Sequence, residues 1–264
     1  MGERVLIDIH EGVAHVRLNR PEKRNGLDLA LFEALAAAGE RLKAERSVRA
    51  VVLSGEGEAF CAGLDFQDFL GRGEAGRALL QRPEGGAANL AQQVAWVWTE
   101  VPVPVIAAIH GVAFGGGLQI ALGADLRIAA PDARLSVMEI KWGLVPDMSL
   151  TKTLLRLVPL DVAKELTFTG RVLSGDEAHA LGLVTRVSRD PVGDARSLAR
   201  EIAEKSPDAV RAGKRLLDSA IELGVHDAFV LETELQLSLM GSPNQLEAVQ
   251  ANFMKRPPRF RDPE

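Results

Sequence analysis

The chain has 264 residues, 47% apolar and 25% charged, which is ordinary for a globular protein and ample for a core without disulfide or metal staples. Lys and Arg total 31 against 36 Asp and Glu, and this net charge of −5 argues against a general nucleic-acid binder. The single cysteine, Cys61, excludes an internal disulfide and any multi-cysteine metal site.

At roughly 150 residues per domain, the length fits one large domain or two small ones. No stretch reaches the roughly 18 consecutive apolar residues that a membrane span needs. Residues 1–10 carry Glu3, Arg4 and Asp8 where a signal peptide would have an apolar core. A cytoplasmic protein without membrane association is expected.

In chain order, 5–9 and 13–18 read as two strands joined by a Glu11-Gly12 turn. The spacing of Leu29, Phe32, Leu35, Ala36, Gly39 and Leu42 predicts a helix over 29–44. A short apolar strand is expected at 50–54. Five glycines and alternating charges over 70–86 predict a mobile surface loop. A helix over 90–98 is stopped by Pro102 and Pro104. Strands are predicted at 105–109, 126–129 and 135–138, and a helix at 118–122 after a glycine cluster. Beyond residue 150 helices dominate, around 149–157, 161–168, 195–204, 207–222, 226–239 and 245–254. Ser174-Gly-Asp-Glu177 reads as a further helix start. The pattern is an α/β core followed by a helical C-terminal part.

Several chemistries lose their support at once. The sequence contains no P-loop and no G-x-S-x-G nucleophile elbow, and Gly115 and Gly117 are followed by Ile120 where a G-x-G-x-x-G would need its third glycine. Its five histidines, His10, His15, His110, His179 and His226, have no metal-ligand spacing, so no metal site is expected. What remains is Ile109-His-Gly-Val-Ala-Phe-Gly-Gly-Gly-Leu-Gln119, an apolar strand running through glycines into a helix. The first amides of such a helix point outward unpaired and can hold an anion or a developing oxyanion. The same glycines serve equally for tight strand–helix packing. A second glycine turn, Gly55-Glu-Gly-Glu-Ala-Phe-Cys-Ala-Gly-Leu-Asp65, also follows a short strand. The two turns can supply one amide each to a shared carbonyl oxygen, although alone the second reads as a surface turn.

Phe60-Cys-Ala-Gly-Leu-Asp65 together with Ala108–Gln119 resembles the enoyl-CoA hydratase/isomerase, or crotonase, superfamily. So do Asn19-Arg-Pro-Glu-Lys-Arg-Asn-Gly-Leu27 and Phe253-Met-Lys-Arg-Pro-Pro-Arg-Phe260, in the right order along the whole chain. The resemblance implies a spiral of ββα units, taken as a core over 1–195, and a helical oligomerisation region over 196–264. It implies a homotrimer or hexamer acting on acyl-CoA, with the coenzyme A thioester as substrate and no separate cofactor.

By motif position the thioester oxygen would lie between the amides of Leu64 and Gly116. Leu64, Asp65, Phe66 and Gln67 match the substrate-binding stretch. Arg24 would meet coenzyme A phosphates, and Lys255 would reach a neighbouring subunit's nucleotide; ordinary solvated charges are the alternative for both.

The two glutamates of hydratases fall at Gln119 and Glu139. A glutamine amide cannot exchange a proton at neutral pH, so Gln119 is expected to orient water or substrate or to line the pocket wall. Glu139 keeps the chemistry of a general base or acid; a carboxylate paired with Lys141 is the alternative. Asp147 falls where dienoyl-CoA isomerases carry an aspartate, and a loop-capping residue is the competing reading. Two carboxyls flanking a carbon chain suit double-bond migration. Isomerisation is therefore expected over hydration through Glu139 alone, and a non-catalytic acyl-CoA-binding protein is the reading from a different class.

Overall fold

The computed structural model describes residues 3–70 and 77–263. Its organising element is a six-stranded sheet in the order β1-β2-β3-β4-β6-β9. Strands β1 (Val5–His10) and β2 (Val13–Leu18) form an antiparallel hairpin, with Val5 opposite Leu18. Glu11 and Gly12 take the two left-handed conformations that the tight turn requires. β3 (Ala50–Gly55), β4 (Val105–Ile109), β6 (Leu126–Ala129) and β9 (Arg186–Val187) then add in parallel.

A second, three-stranded layer holds β5 (Val112–Phe114), β7 (Arg134–Ser136) and β8 (Leu173–Ser174). The chain passes repeatedly from the large sheet to the small layer and then into a helix or turn. After β3 it makes two isolated bridges, Cys61 to Ala113 and Leu64 to Leu27, and enters α2 (Phe66–Leu70). β4 leads through β5 into a helix over Gly116–Leu122, and β6 leads through β7 into a 3₁₀ turn at Glu139–Trp142. This is the expected crotonase-type spiral, and each circuit ends where a backbone turn faces the same side.

Strands β3 and β4 are buried on both faces, which is why they read as unbroken apolar runs. On one face Val51, Leu53, Val105 and Ile109 belong to the main core with α1 (Leu29–Ala44) and α3 (Leu90–Glu100). These two helices cross so closely that a Cβ on Gly39 would lie 2.4 Å from Val97 Cγ2. Asp28 caps α1 by accepting the Leu31 amide, and Asn89 with Gln92 forms a capping box on α3. On the other face Ala50, Val52, Ile106, Ala108 and Ile128 pack against Ala195 and Ala199.

The helix over Gly116–Leu122 is α4, followed by α5 (Leu150–Thr153), α6 (Leu160–Thr169), α7 (Gly175–Ala180) and α8 (Pro191–Ala203). The last three helices are α9 (Pro207–Ala220), α10 (Val225–Leu239) and α11 (Pro243–Phe253). Residue 195, the expected end of the core, lies inside α8, whose alanines pack on the sheet. α9 is tied down by Lys214, whose ammonium lies 2.7 Å from Asp125 and donates to the Trp98 and Val103 carbonyls. No helix among the described residues is long and apolar enough to cross a membrane.

Most expected elements form, and the differences have local causes. α8 starts at Pro191, earlier than the expected 195, because Asp190 caps it and Pro191 fits the first turn. The expected strand at 135–138 is displaced to Arg134–Ser136, since the chain turns into the 3₁₀ segment at Glu139. The 149–157 helix divides into α5 and a 3₁₀ turn at Leu154–Arg156. α2 and β5 are too short for periodicity to reveal. The predicted loop over 70–86 falls partly on 71–76, outside the described residues; 77–78 are helical and 79–80 form a turn.

Candidate active site

The two glycine turns are built from backbone. In the 60–65 segment, Cys61 donates to Val112 O, Ala62 to Arg24 O and Asp65 to Leu27 O, while Leu27 donates to Gly63 O. These bonds use the Ala62 and Asp65 amides around Leu64, whose own amide donates to no described residue. Gly63 has φ +84, and a Cβ there would lie 2.6 Å from Phe114 O and 3.7 Å from Gly116 N. The two glycine turns therefore lie against each other. Gly116 opens α4, so its amide has no acceptor within the helix. Gly115, at φ 50 and ψ −119, directs the chain into that helix from a conformation that suits glycine.

The two turns meet at a cavity of about 390 Å3. Leu64 and Gly116 line it with Phe66, Glu139, Asp147 and Met148, and Phe32, Phe69, Leu79 and Ala91 form further apolar wall. The rings of Phe66 and Trp142 stack with centroids 4.2 Å apart, and those of Phe32 and Phe69 meet edge-on at 6.1 Å. Among the described lining residues, Glu139 and Asp147 carry the charge.

Glu139 is 9% exposed. Its Oε1 accepts a hydrogen bond of 2.7 Å from Gln119 Nε2, and its Oε2 is buried without a partner. Burial pushes its carboxyl above the ordinary glutamate value, and the negative charge of Asp147 adds to this, while the nearby backbone amides of Glu139 and Met138 and the hydrogen bond from Gln119 oppose it. Gly115 makes room for the group, because a Cβ there would lie 3.2 Å from Glu139 Oε1. Gly143, in the left-handed conformation at φ 69, then reverses the chain. The return brings Asp147 to the same cavity. Asp147 keeps access to solvent, yet the protein around its carboxyl is enough for desolvation to raise it as well.

Gln119 was expected on the pocket wall or against water or substrate; the structure puts it behind Glu139, 1% exposed and absent from the cavity lining. Its position one turn into α4 points its side chain inward, to the gap between Glu139 and Met148. The Asp65 carboxylate also lies outside the lining and pairs with Arg20 at 2.8 Å. Burial pulls that carboxyl up, but hydrogen bonds from Arg20 and the Asp68 amide hold it below the usual aspartate value. Gln67 is exposed on α2. The Arg24 side chain is exposed, while its carbonyl anchors Ala62. Lys255 lines a separate depression with Arg49, Ala251 and Phe260.

Cys61 is fully buried, its thiol pushed up to about 12 by desolvation. His110 bonds to Gly57 O and lines no part of the cavity. Two residues went unassigned in the sequence reading: Arg20, 8% exposed, and Met148, whose Sδ would meet a Cβ on Gly116 at 2.7 Å. Arg20 sits in the Asn19-Arg-Pro motif, which marked the segment without revealing what the guanidinium holds.

The family described as Enoyl-CoA hydratase/isomerase matches residues 8–263. The human protein named Enoyl-CoA hydratase domain-containing protein 2, mitochondrial, is 36% identical over 97% of this chain and 88% of its own. The mouse mitochondrial Delta(3,5)-Delta(2,4)-dienoyl-CoA isomerase is 33% identical over 92% of this chain and 77% of its own. A crystal structure of enoyl-CoA hydratase from Bacillus anthracis superposes with a TM-score of 0.89 at 32% identity, covering 97% of this chain and 98% of that one. With the motifs, the spiral fold and the match across nearly its whole length, the chain belongs to the enoyl-CoA hydratase/isomerase (crotonase) family.

Proposed function

We propose that the protein isomerises the double bond of an enoyl-CoA. The Leu64 and Gly116 amides receive the thioester oxygen. Glu139 removes a proton from the carbon next to the thioester carbonyl, and the C–H electron pair enters an extended enolate whose charge rests on that oxygen. Asp147 returns a proton to the far end of the enolate, so the double bond moves at constant mass. Both carboxyls need values raised toward neutrality for this work, and burial supplies that direction for each.

The observation that carries the reading is the placing of two carboxyls in one apolar cavity with the two glycine turns, while Gln119, at the first hydratase glutamate position, is an amide bonded to Glu139 and Met148. Hydration through Glu139, with Gln119 in place of the first acid, is the second reading; the hydratase name of the similar Bacillus structure favours it. Separate incubation with 2-enoyl-, 3-enoyl- and 3,5-dienoyl-CoA, followed by mass and ultraviolet absorbance, tests the choice. A change of conjugation at constant mass supports isomerisation. Dominant gain of water overturns it, and binding without turnover favours an acyl-CoA-binding role.

Self-association as a homotrimer or hexamer belongs to the same proposal. Val225, Phe229, Leu237 and Phe253 leave apolar side chains exposed on the C-terminal helices, which a partner subunit would cover. Arg24 and Lys255 are then the proposed contacts for coenzyme A phosphates, Lys255 from the neighbouring subunit.

A further inference from the structure

Gln119 is bound at both ends of its carboxamide. The Met148 backbone N–H, which can only donate, lies 2.9 Å from Gln119 Oε1. That contact fixes which end is oxygen, so the NH2 end must face Glu139, where it donates to Oε1 at 2.7 Å. Glu139 Oε1 is therefore always an acceptor. A proton on this carboxyl has one place to sit, on Oε2, the buried oxygen with no partner.

The residue also spans three parts of the site. Its backbone belongs to α4, whose first amide is that of Gly116. Its NH2 holds Glu139, and its oxygen holds the peptide that joins Asp147 to Met148. Met148 in turn packs against Gly116, leaving no space for a Cβ there. One side chain thus links the oxyanion amide to both carboxyl-bearing segments.

We propose that Gln119 is a positioning residue that assigns the mobile proton of Glu139 to Oε2 and holds Glu139 and the Asp147–Met148 peptide in fixed register with the Gly116 amide. The inference rests on Glu139 being the group that moves the proton. It gives the amide at this position a function of its own. An NH2 donor bonds more strongly to the ionised carboxylate than to the neutral acid, so it keeps Glu139 available as a base despite burial and the facing charge of Asp147. Asp147 is the charged group acting on Glu139 among the described residues.

The test compares Gln119→Met, which fills similar space without either hydrogen bond, with Gln119→Glu, which keeps an acceptor for Met148 but sets a second carboxyl against Glu139. Turnover of whichever enoyl-CoA the wild type converts is followed against pH, and butyryl-CoA binding by calorimetry monitors the pocket. Gln119→Met is expected to lower kcat by about tenfold or more with KM within about threefold, because misplacement of a reacting group costs rate before binding. Its acid limb should move to higher pH. Gln119→Glu should move that limb further, since two adjoining carboxyls share one proton.

In a Glu139→Gln background, Gln119→Met should cost less than in the wild type, because the part of its action that passes through Glu139 is already lost. An unchanged kcat and acid limb in Gln119→Met overturns the proposal, as does an equal fold-loss in the Glu139→Gln background. If Gln119→Met does not fold, the limb of Gln119→Glu decides: an unmoved limb overturns the assignment. Wild-type turnover in Glu139→Gln alone would instead remove the underlying reading of Glu139.

Discussion

The Arg20 guanidinium joins two carboxylates from different parts of the fold, Asp65 at 2.8 Å and Asp28 at 3.4 Å. Asp28 caps α1 and also receives Arg4 at 2.7 Å, while Asp65 directly follows Leu64. The guanidinium further donates to Gly26 O at 2.8 Å. The turn that presents the Leu64 amide is thus braced against the start of a core helix by charge, from outside the cavity lining.

Arg20→Met should therefore damage both stability and rate. Removing one member of a buried ion pair typically costs about 3–5 kcal/mol, and here Asp65 loses Arg20 while Asp28 keeps Arg4. Chemical denaturation should report a loss of that order. Any folded fraction should show lower kcat, because the Leu64 amide is no longer held against Gly116. Arg20→Lys should recover only part of it, since an ammonium cannot reproduce the fork geometry that serves Asp65, Asp28 and Gly26 together.

Two glycines that look alike in the sequence should respond oppositely to alanine. Gly115 has φ 50, and an added Cβ would lie 3.2 Å from Glu139 Oε1. Gly115→Ala should destabilise by roughly 1–3 kcal/mol from backbone strain. It should also lower kcat by displacing the carboxylate. Gly213, inside α9, has open space at the Cβ position. Gly213→Ala should stabilise by roughly 0.4–1 kcal/mol with activity unchanged. Thermal melts of both variants beside the wild type read the contrast.

Long elements were legible from the chain because apolar spacing fixes them: the hairpin at 5–18, α1, α3 and the doubly buried β3 and β4. Leu64, Gly116, Glu139 and Asp147 were found through motif position, and all four line one cavity. Sequence could not reveal which way Gln119 or Asp65 points. Each is polar, close to the site in sequence, and turned away from the cavity by a distant partner, Met148 at 29 residues from Gln119 and Arg20 at 45 from Asp65. Three-residue β5 and five-residue α2 escaped for a different reason, being held by backbone pairing or brevity rather than by an apolar period.

Glu139→Gln removes the oxygen proposed to move the proton, at nearly constant volume. Turnover should fall by at least about a hundredfold, within the range that general acid–base catalysis contributes. The wild-type acid limb should lie above 4.5, the ordinary glutamate value, because burial and then Asp147 raise this carboxyl. Asp147→Asn removes the facing charge, so that limb should move down. A limb that stays in place in Asp147→Asn would separate the two carboxyls electrostatically and argue against their acting as a pair.

His15 provides a pH response away from the site. Its Nε2 lies 2.9 Å from Ser54 Oγ, and burial followed by the charges of Arg17 and Arg196 lowers its pKa from 6.5 to about 4. The unfolded chain then binds a proton that the folded chain refuses between these two values. Stability is fully present above 6.5, declines as pH falls through that window and levels off, for this group, below about 4. Because the ring is only partly buried, the contribution is discounted for solvent screening to about 1–2 kcal/mol. Urea unfolding at pH 7 and at pH 5 should show the loss, and His15→Gln should remove part of the slope. Identical slopes in wild type and variant would mean that His15 is not the group being titrated.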